Sequence, residues 1–367
     1  MSATKQERNM GIDVLRAVAM FFVICQHILV QGSVTAAAEV GSGKYYFMQF
    51  LQVLVYCAVN IYGLTTGYLL CRKPFRLSRL VKLWLTTVFW SVAVSCVFFV
   101  LVPESRTFSE MVSMFLPILR GRYWFFTAYF VVMLVSPVLN VVIQNLSRRQ
   151  FQLLFAALFL IFGVVPICSL GYDVLRITTG HHFSWMIVLY LIGGYLRVYP
   201  PAVPVPKKHL WLLGYWISAA VHLLYILAVN LAGLNSFTNL MLTYPSPLIL
   251  AEAICLLQYC KDLPLKPDGL PGKLVRFIAP GVYSVYVIHV HPLVFWNKNI
   301  ISAFRAWDSW NGIQVLGAIL LTAFAVFTVC ILLDALRQRL FRLLHIDQLA
   351  EKLSDRAEAV VRTHLNN

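Results

Sequence analysis

Acidic side chains are scarce in this sequence: 367 residues hold fifteen Asp and Glu, and charged residues of both signs make up only 12%. A soluble domain is nearer a quarter charged, so these few could not cover a water-exposed surface. Strand-length alternation of apolar and polar residues is lacking too, which excludes a β-barrel. The eight cysteines, Cys25, Cys57, Cys71, Cys96, Cys168, Cys255, Cys260 and Cys330, include no close pair at metal-ligand spacing. Neither a metal site nor a disulfide framework is implied, and they read as small buried hydrophobes. Thirty basic residues leave a net charge of +15, but they sit in short loops between apolar runs rather than in one polar domain. That pattern excludes nucleic acid as a partner and reads as a set of topology signals.

What the chain has in abundance is apolar sequence: 60% hydrophobic residues and a mean hydropathy of +0.75. The apolar residues fall in runs of about twenty, the length of helix that crosses a hydrocarbon core. The fold class expected is an all-α integral membrane protein with about ten transmembrane helices. The predicted spans are 11–31, 48–70, 81–102, 123–143, 151–169, 183–199, 210–232, 243–260, 277–298 and 313–334. A further apolar piece from Met111 to Leu119 is too short to span and reads as interfacial or re-entrant. With the N-terminus inside, 22 of the thirty basic residues fall on cytoplasmic segments and seven on outer ones, so both termini are expected in the cytoplasm. The domain reading is a cytoplasmic N-tail (1–10), a polytopic membrane domain (11–334) and an amphipathic cytoplasmic tail (335–367), with the bilayer itself as a partner. The tail mixes Leu and Arg at helical spacing, as a helix lying on the anionic leaflet would. The Pro-rich stretch 200–206 and the segment 264–272 read as cytoplasmic hinges. Ala36-Ala37-Ala38 resembles a cleavage site, but the long apolar run before it carries Asp13 and Arg16 and is expected to be retained.

Ionisable groups inside a span cost about 2.5–3.5 kcal/mol each on insertion scales and are functional candidates for that reason. The first span holds Asp13, Arg16 and His27. Asp13 and Arg16 are spaced to pair along a helix. Arg16 and His27 lie about 20° from a common face and about 16 Å apart along the axis. One stripe thus presents an ion pair near the inner surface and an imidazole most of the way across.

The segment GIDVLRAVAMFFVICQH (11–27) resembles the opening of the membrane acyltransferase-3 family, whose hallmark is an Arg and a His separated by ten residues, here Arg16 and His27. Further resemblances follow in order. VNIYGLTTGYLL (59–70) is similar to the family's second span, with Thr66 in a Ser place. RKPFRLSRLVKLW (72–84) is similar to its basic loop, GRYWFFTAYFVVMLVSPVLN (121–140) to its Trp-containing span, and YSVYVIHVHPLV (283–294) to its late His-containing span. There is one departure: Thr127 and Ala128 stand where many members carry a Glu.

The resemblance implies an O-acyltransferase that moves an acyl group, usually acetyl, from acyl-CoA to a hydroxyl of a surface or lipid-linked glycan in the cell (plasma or inner) membrane. His27, Arg16, Asp13 and His289 become the catalytic candidates. Arg72, Arg76 and Arg79 suit the donor's phosphates, since a guanidinium forks two oxygens at once. Trp124, Tyr129 and Arg122 sit where a sugar acceptor could dock. No metal is expected. His27 could act as general base or carry the acyl group itself, and both remain open on the sequence. A homo-oligomer is compatible with it. The competing reading is a transporter or flippase without acyl-transfer chemistry, which ten spans with intramembrane charges would suit equally well.

Overall fold

The computed structural model describes residues 8–170, 172, 179–201 and 207–365. The chain enters on α1 (Met10–Val30), returns on α2 (Gly43–Tyr56) and α3 (Ala58–Leu70), and continues through α4 (Leu77–Leu101) and the short α5 (Phe108–Phe115). Next come α6 (Trp124–Asn145), α7 (Arg148–Phe159) and α8 (Val165–Cys168), the last two joined through one π-helical turn, then α9 (Phe183–Val198), α10 (His209–Leu231) and α11 (Pro247–Cys260). Four short helices follow, α12 (Leu270–Ile278), α13 (Val282–His289), α14 (Pro292–Phe295) and α15 (Lys298–Ala303), before the long α16 (Gly312–Leu343) and the tail helix α17 (Ile346–Leu365). No strand occurs among the described residues.

Among the described residues, seven helical segments are long and apolar enough to cross a membrane. In two of them a pair of helices, α2 with α3 and α7 with α8, makes one crossing-length unit. The remaining three expected spans depart from the sequence reading. α9 and α11 are apolar but have only 16 and 14 residues. The expected span 243–260 starts late because Pro247 opens α11 at its first turn, the one helical position where a missing N–H costs nothing. The expected span 277–298 is broken. A turn at 279–281 precedes α13, and His291, held extended by Pro292, separates α13 from α14. Residues 202–206 of the Pro-rich stretch lie outside the described residues. The piece read as interfacial forms α5 and then leaves the helix at Leu116.

Outward faces are apolar, as lipid-facing helices must be. Val100 is 74% exposed, and Val138, Leu224 and Leu321 are similarly bare. Between helices, small residues let backbones meet. A Cβ on Gly67 of α3 would lie 1.9 Å from the Tyr190 carbonyl oxygen of α9, and one on Gly193 of α9 would lie 2.0 Å from the Leu64 oxygen. Five of the cysteines are buried, Cys255 is half-buried, and Cys96 and Cys168 are exposed.

At one end of the bundle the Asn9 amide donates to the Lys261 carbonyl at 3.0 Å, tying the start of α1 to the end of α11. Lys82 and the Leu77 N–H of α4 reach Glu351 and Glu358 of α17, each at 2.6 Å. Inside α16, the fully buried Asp334 carboxylate accepts from the Trp90 indole (3.0 Å), the Arg337 guanidinium (2.6 Å) and the Gln338 amide (2.8 Å). α16 thus runs through the expected boundary at 335, and the tail proper starts at α17.

Candidate active site

His27 lies one turn from the C-terminal end of α1 and His289 closes α13. The break after α13 lets these two helices present their histidines to each other. His27 Nδ1 and His289 Nε2 are 3.1 Å apart. The proton positions follow from the third member. His289 Nδ1 lies 2.6 Å from the Val285 carbonyl oxygen, which can only accept. A neutral His289 therefore carries its proton on Nδ1 and offers a lone pair at Nε2. His27 Nδ1–H donates to that lone pair, and the lone pair of His27 is left on Nε2. Phe295 of α14 packs edge-on against the His27 ring at 4.8 Å. Both histidines are half-buried.

His27 lines two cavities. The smaller, of about 30 Å³, lies inside the bundle, and its walls include Gln26, Tyr56, Tyr62, Trp124, Tyr244 and Tyr286. The buried Gln26 Oε1 has no hydrogen-bond partner among the described residues, so a polar group entering this cavity would find a free acceptor beside His27. The larger, of about 450 Å³, lies between α1, α13 to α15 and α16 and holds both His27 and His289 in its wall.

Arg16 reaches the inner cavity through one contact residue. Tyr62 Oη donates to the Arg16 carbonyl at 2.7 Å, and the Arg16 guanidinium carbon lies 5.9 Å from the Tyr62 ring. Tyr62 in turn lines the cavity at His27. The expected pairing of Asp13 with Arg16 does not form. Asp13 is taken by Arg8 from the residues just before the helix, a partner the span-bounded reading left out. Asp13 thereby anchors the entry of α1, and Arg16 is left for the tyrosine.

The loop arginines sit apart from this centre. Arg72 and Arg76 are exposed in the turn between α3 and α4, and Arg79 Nη1 donates to the Pro74 carbonyl at 3.2 Å. Of the three expected acceptor residues, Trp124 lines the inner cavity. Tyr129, one turn on, stacks on Phe125 at 5.8 Å with its Oη 3.3 Å from Thr66 Oγ1. Arg122 lies in neither cavity. Its side chain is 2% exposed and is paired with Glu110 of α5. That pair joins Ser95 and His291, with Arg122 Nη2 2.6 Å from His291 Nε2. Burial pushes the Glu110 carboxyl up, but hydrogen bonds from Arg122 and Ser95 and the Arg122 and His291 charges hold it below the usual carboxylate range. The sequence reading gave Glu110 no role, although one acid inside a short apolar piece of an acid-poor chain was a visible signal. His181 is exposed, with its ring packed between Trp124 (4.6 Å) and Tyr244 (4.9 Å). Among the described residues no group of three or more His, Cys, Asp or Glu is placed to hold a metal ion.

A half-buried histidine with a fixed tautomer, set in a bundle of apolar helices between two cavities, defines a class: an integral membrane protein with an imidazole that faces two cavities. The particular family is shown by comparison. The acyltransferase-3 family, described as an acyltransferase domain, matches residues 9–335, and the chain belongs to it. It is an acyltransferase. No curated protein and no solved structure matches the chain.

Proposed function

We propose that this protein transfers an acetyl group from acetyl-CoA to a hydroxyl of a cell-surface or lipid-linked glycan in the plasma or inner membrane. The chain would make ten crossings, the short and broken segments included, with both termini in the cytoplasm. The donor's phosphates then meet Arg72, Arg76 and Arg79, with Arg16 further along the route, and the thioester passes Tyr62 to the inner cavity. The size of that cavity supports a short acyl group: it holds on the order of one or two water-sized bodies, room for an acetyl and little more.

His27 Nε2 takes the proton of the acceptor hydroxyl as its oxygen attacks the thioester carbonyl. The carbon–sulfur bond breaks, and the proton passes to the leaving thiolate, so CoA departs as the thiol. His289 holds the His27 tautomer and takes a stronger hydrogen bond from Nδ1–H when His27 becomes an imidazolium, the part a carboxylate plays in hydrolase triads. The observation that carries this reading is the His27–His289 contact of 3.1 Å with its tautomer set by Val285.

The test expresses wild type and His27→Ala in a host that makes a defined surface glycan, and counts O-acetyl groups by NMR. Acetyl groups added by the wild type and absent with the variant are expected. Equal acetylation by both would remove His27 from the mechanism. No acetylation by the wild type would favour transport instead.

A further inference from the structure

In the wall of the smaller cavity two buried polar atoms have no hydrogen-bond partner among the described residues: Gln26 Oε1 and Tyr286 Oη. A buried polar group inside a membrane bundle costs free energy until a partner meets it. Gln26 offers an acceptor there, and Tyr286 offers a hydroxyl hydrogen. Two other donors beside His27 are already engaged: Tyr62 Oη donates to the Arg16 carbonyl, and His27 Nδ1–H points at His289. Tyr286 is 4% exposed and lies one turn before His289 on α13, so the two side chains share a face. Their rings are 6.4 Å apart. The hydroxyl end lies by Phe125 and Tyr244, both part of the same cavity wall. α6 begins at Trp124 without a side-chain cap. The N–H groups of Phe125 and Phe126 in its first turn lie on the oxygen side of the Tyr286 hydroxyl, short of hydrogen-bond geometry. They carry the positive end of the α6 dipole, and a positive field at that oxygen makes the O–H a stronger donor.

We infer that Tyr286 is the oxyanion donor of the transfer: its O–H holds the acyl carbonyl oxygen as that oxygen takes on negative charge. The inference rests on the acyl-transfer reading above and deepens it. When the acceptor oxygen bonds to the carbonyl carbon, the π pair moves onto the carbonyl oxygen. The hydrogen bond from Tyr286 strengthens at that moment, and the phenol keeps its proton. When the carbon–sulfur bond breaks, the pair returns and re-forms the carbonyl, now that of an ester. The proton taken by His27 leaves with the thiolate, so Tyr286 begins and ends the cycle as a neutral phenol. A donor fixed where charge develops, in a site with little water, needs no reorganisation during the reaction. His27 handles the proton, His289 holds its tautomer, and the carbonyl oxygen falls to Tyr286.

The test uses purified full-length protein in liposomes, with radiolabelled acetyl-CoA and the alkali-deacetylated surface glycan of the expression host, and follows labelled glycan and CoA thiol. Tyr286→Phe is expected to lower kcat by roughly 10²–10³. KM for acetyl-CoA should stay nearly unchanged, because the charge that Tyr286 meets exists only in the transition state. The thermal midpoint of this variant should equal or exceed that of the wild type, since the hydroxyl removed had no partner. Tyr283→Phe is the control. Tyr283 Oη is 2.6 Å from Thr87 Oγ1, on a side chain outside the cavity wall, so its loss should lower the midpoint and keep kcat. 3-Fluorotyrosine placed at position 286 is a more acidic phenol of nearly the same size, and is expected to match or exceed the wild-type kcat. Wild-type kcat in Tyr286→Phe would overturn the inference with acyl transfer intact. So would a fluorotyrosine variant as slow as the Phe variant, or a fall in kcat that comes with a lowered midpoint and that Tyr283→Phe reproduces. Wild-type protein that forms neither labelled glycan nor CoA thiol would overturn the acyl-transfer reading, and the oxyanion role with it.

Discussion

A histidine works as a base only through a nitrogen that keeps its lone pair, and at His27 the choice is made two residues away. Val285 fixes His289, and His289 fixes His27. Removing the base should cost roughly 10²–10⁴ in rate, and His27→Ala is expected to show that loss in kcat for acyl transfer. His289→Ala should lower kcat by about 10-fold or more and leave KM for the donor nearly unchanged, because it frees the tautomer without removing the base. A rise in donor KM with kcat unchanged would mean that His289 serves binding instead. At this scale the sequence was partly legible. A step of eleven positions from Arg16 to His27 puts both on one stripe, but that His27 and His289 touch depends on a helix break that no periodicity reports. The Asp13–Arg16 pairing was misread because local spacing allowed it while Arg8, just outside the span, competed for the same carboxylate.

At the scale of helices, close backbone approach and one buried polar cluster, Ser95, Glu110, Arg122 and His291, hold the site's frame. Gly67→Ala places a methyl against the Tyr190 carbonyl and is expected to destabilise by about 1–3 kcal/mol. Gly317→Ala, where a Cβ meets nothing within 4 Å, should be neutral or slightly stabilising. Thermal unfolding in detergent compares the two, and equal midpoints would contradict the packing argument. The Glu110–Arg122 pair makes a pH prediction. Its carboxyl is held below the value of an unfolded chain, so the pair contributes fully above about pH 4.3, the unfolded value, and its contribution fades as pH falls through the lower folded value. Glu110→Gln should lower stability at pH 7, and the gap from wild type should narrow as the pH drops toward 3. A gap that stays constant would show that the charge of Glu110 plays no part. Helix type was readable from hydropathy; helix integrity was not. Pro280 and Pro292 interrupt an apolar run whose hydropathy is unbroken, and it is this interruption that turns His289 toward α1 and leaves His291 to Arg122.

Over the whole molecule, both ends of the described chain are tied to other helices: Asn9 donates to the Lys261 carbonyl at the end of α11, and α17 lies along the start of α4. α17 keeps Ala350 and Ser354 buried, while Leu349, Leu353 and Val360 remain exposed, an apolar stripe suited to the membrane surface. Single-cysteine reporters at Ser33, in the loop after α1, and at Asp355 of α17 test the proposed topology in intact cells. Ser33 should react with an impermeant maleimide and Asp355 should react only after permeabilisation; the reverse pattern would invert the orientation. The number of crossings is the least legible feature, because α9, α11 and the broken segment are too short or interrupted for length alone to decide.

In the proposed mechanism His27 passes a proton from an acceptor hydroxyl to the leaving thiolate of CoA. The most direct measurement incubates the purified protein in liposomes with radiolabelled acetyl-CoA and a glycan acceptor, and follows labelled glycan and free CoA thiol together. Equimolar appearance of the two with wild type, and of neither above background with His27→Ala, is the predicted result. Labelled glycan formed at the wild-type rate by His27→Ala would contradict the account.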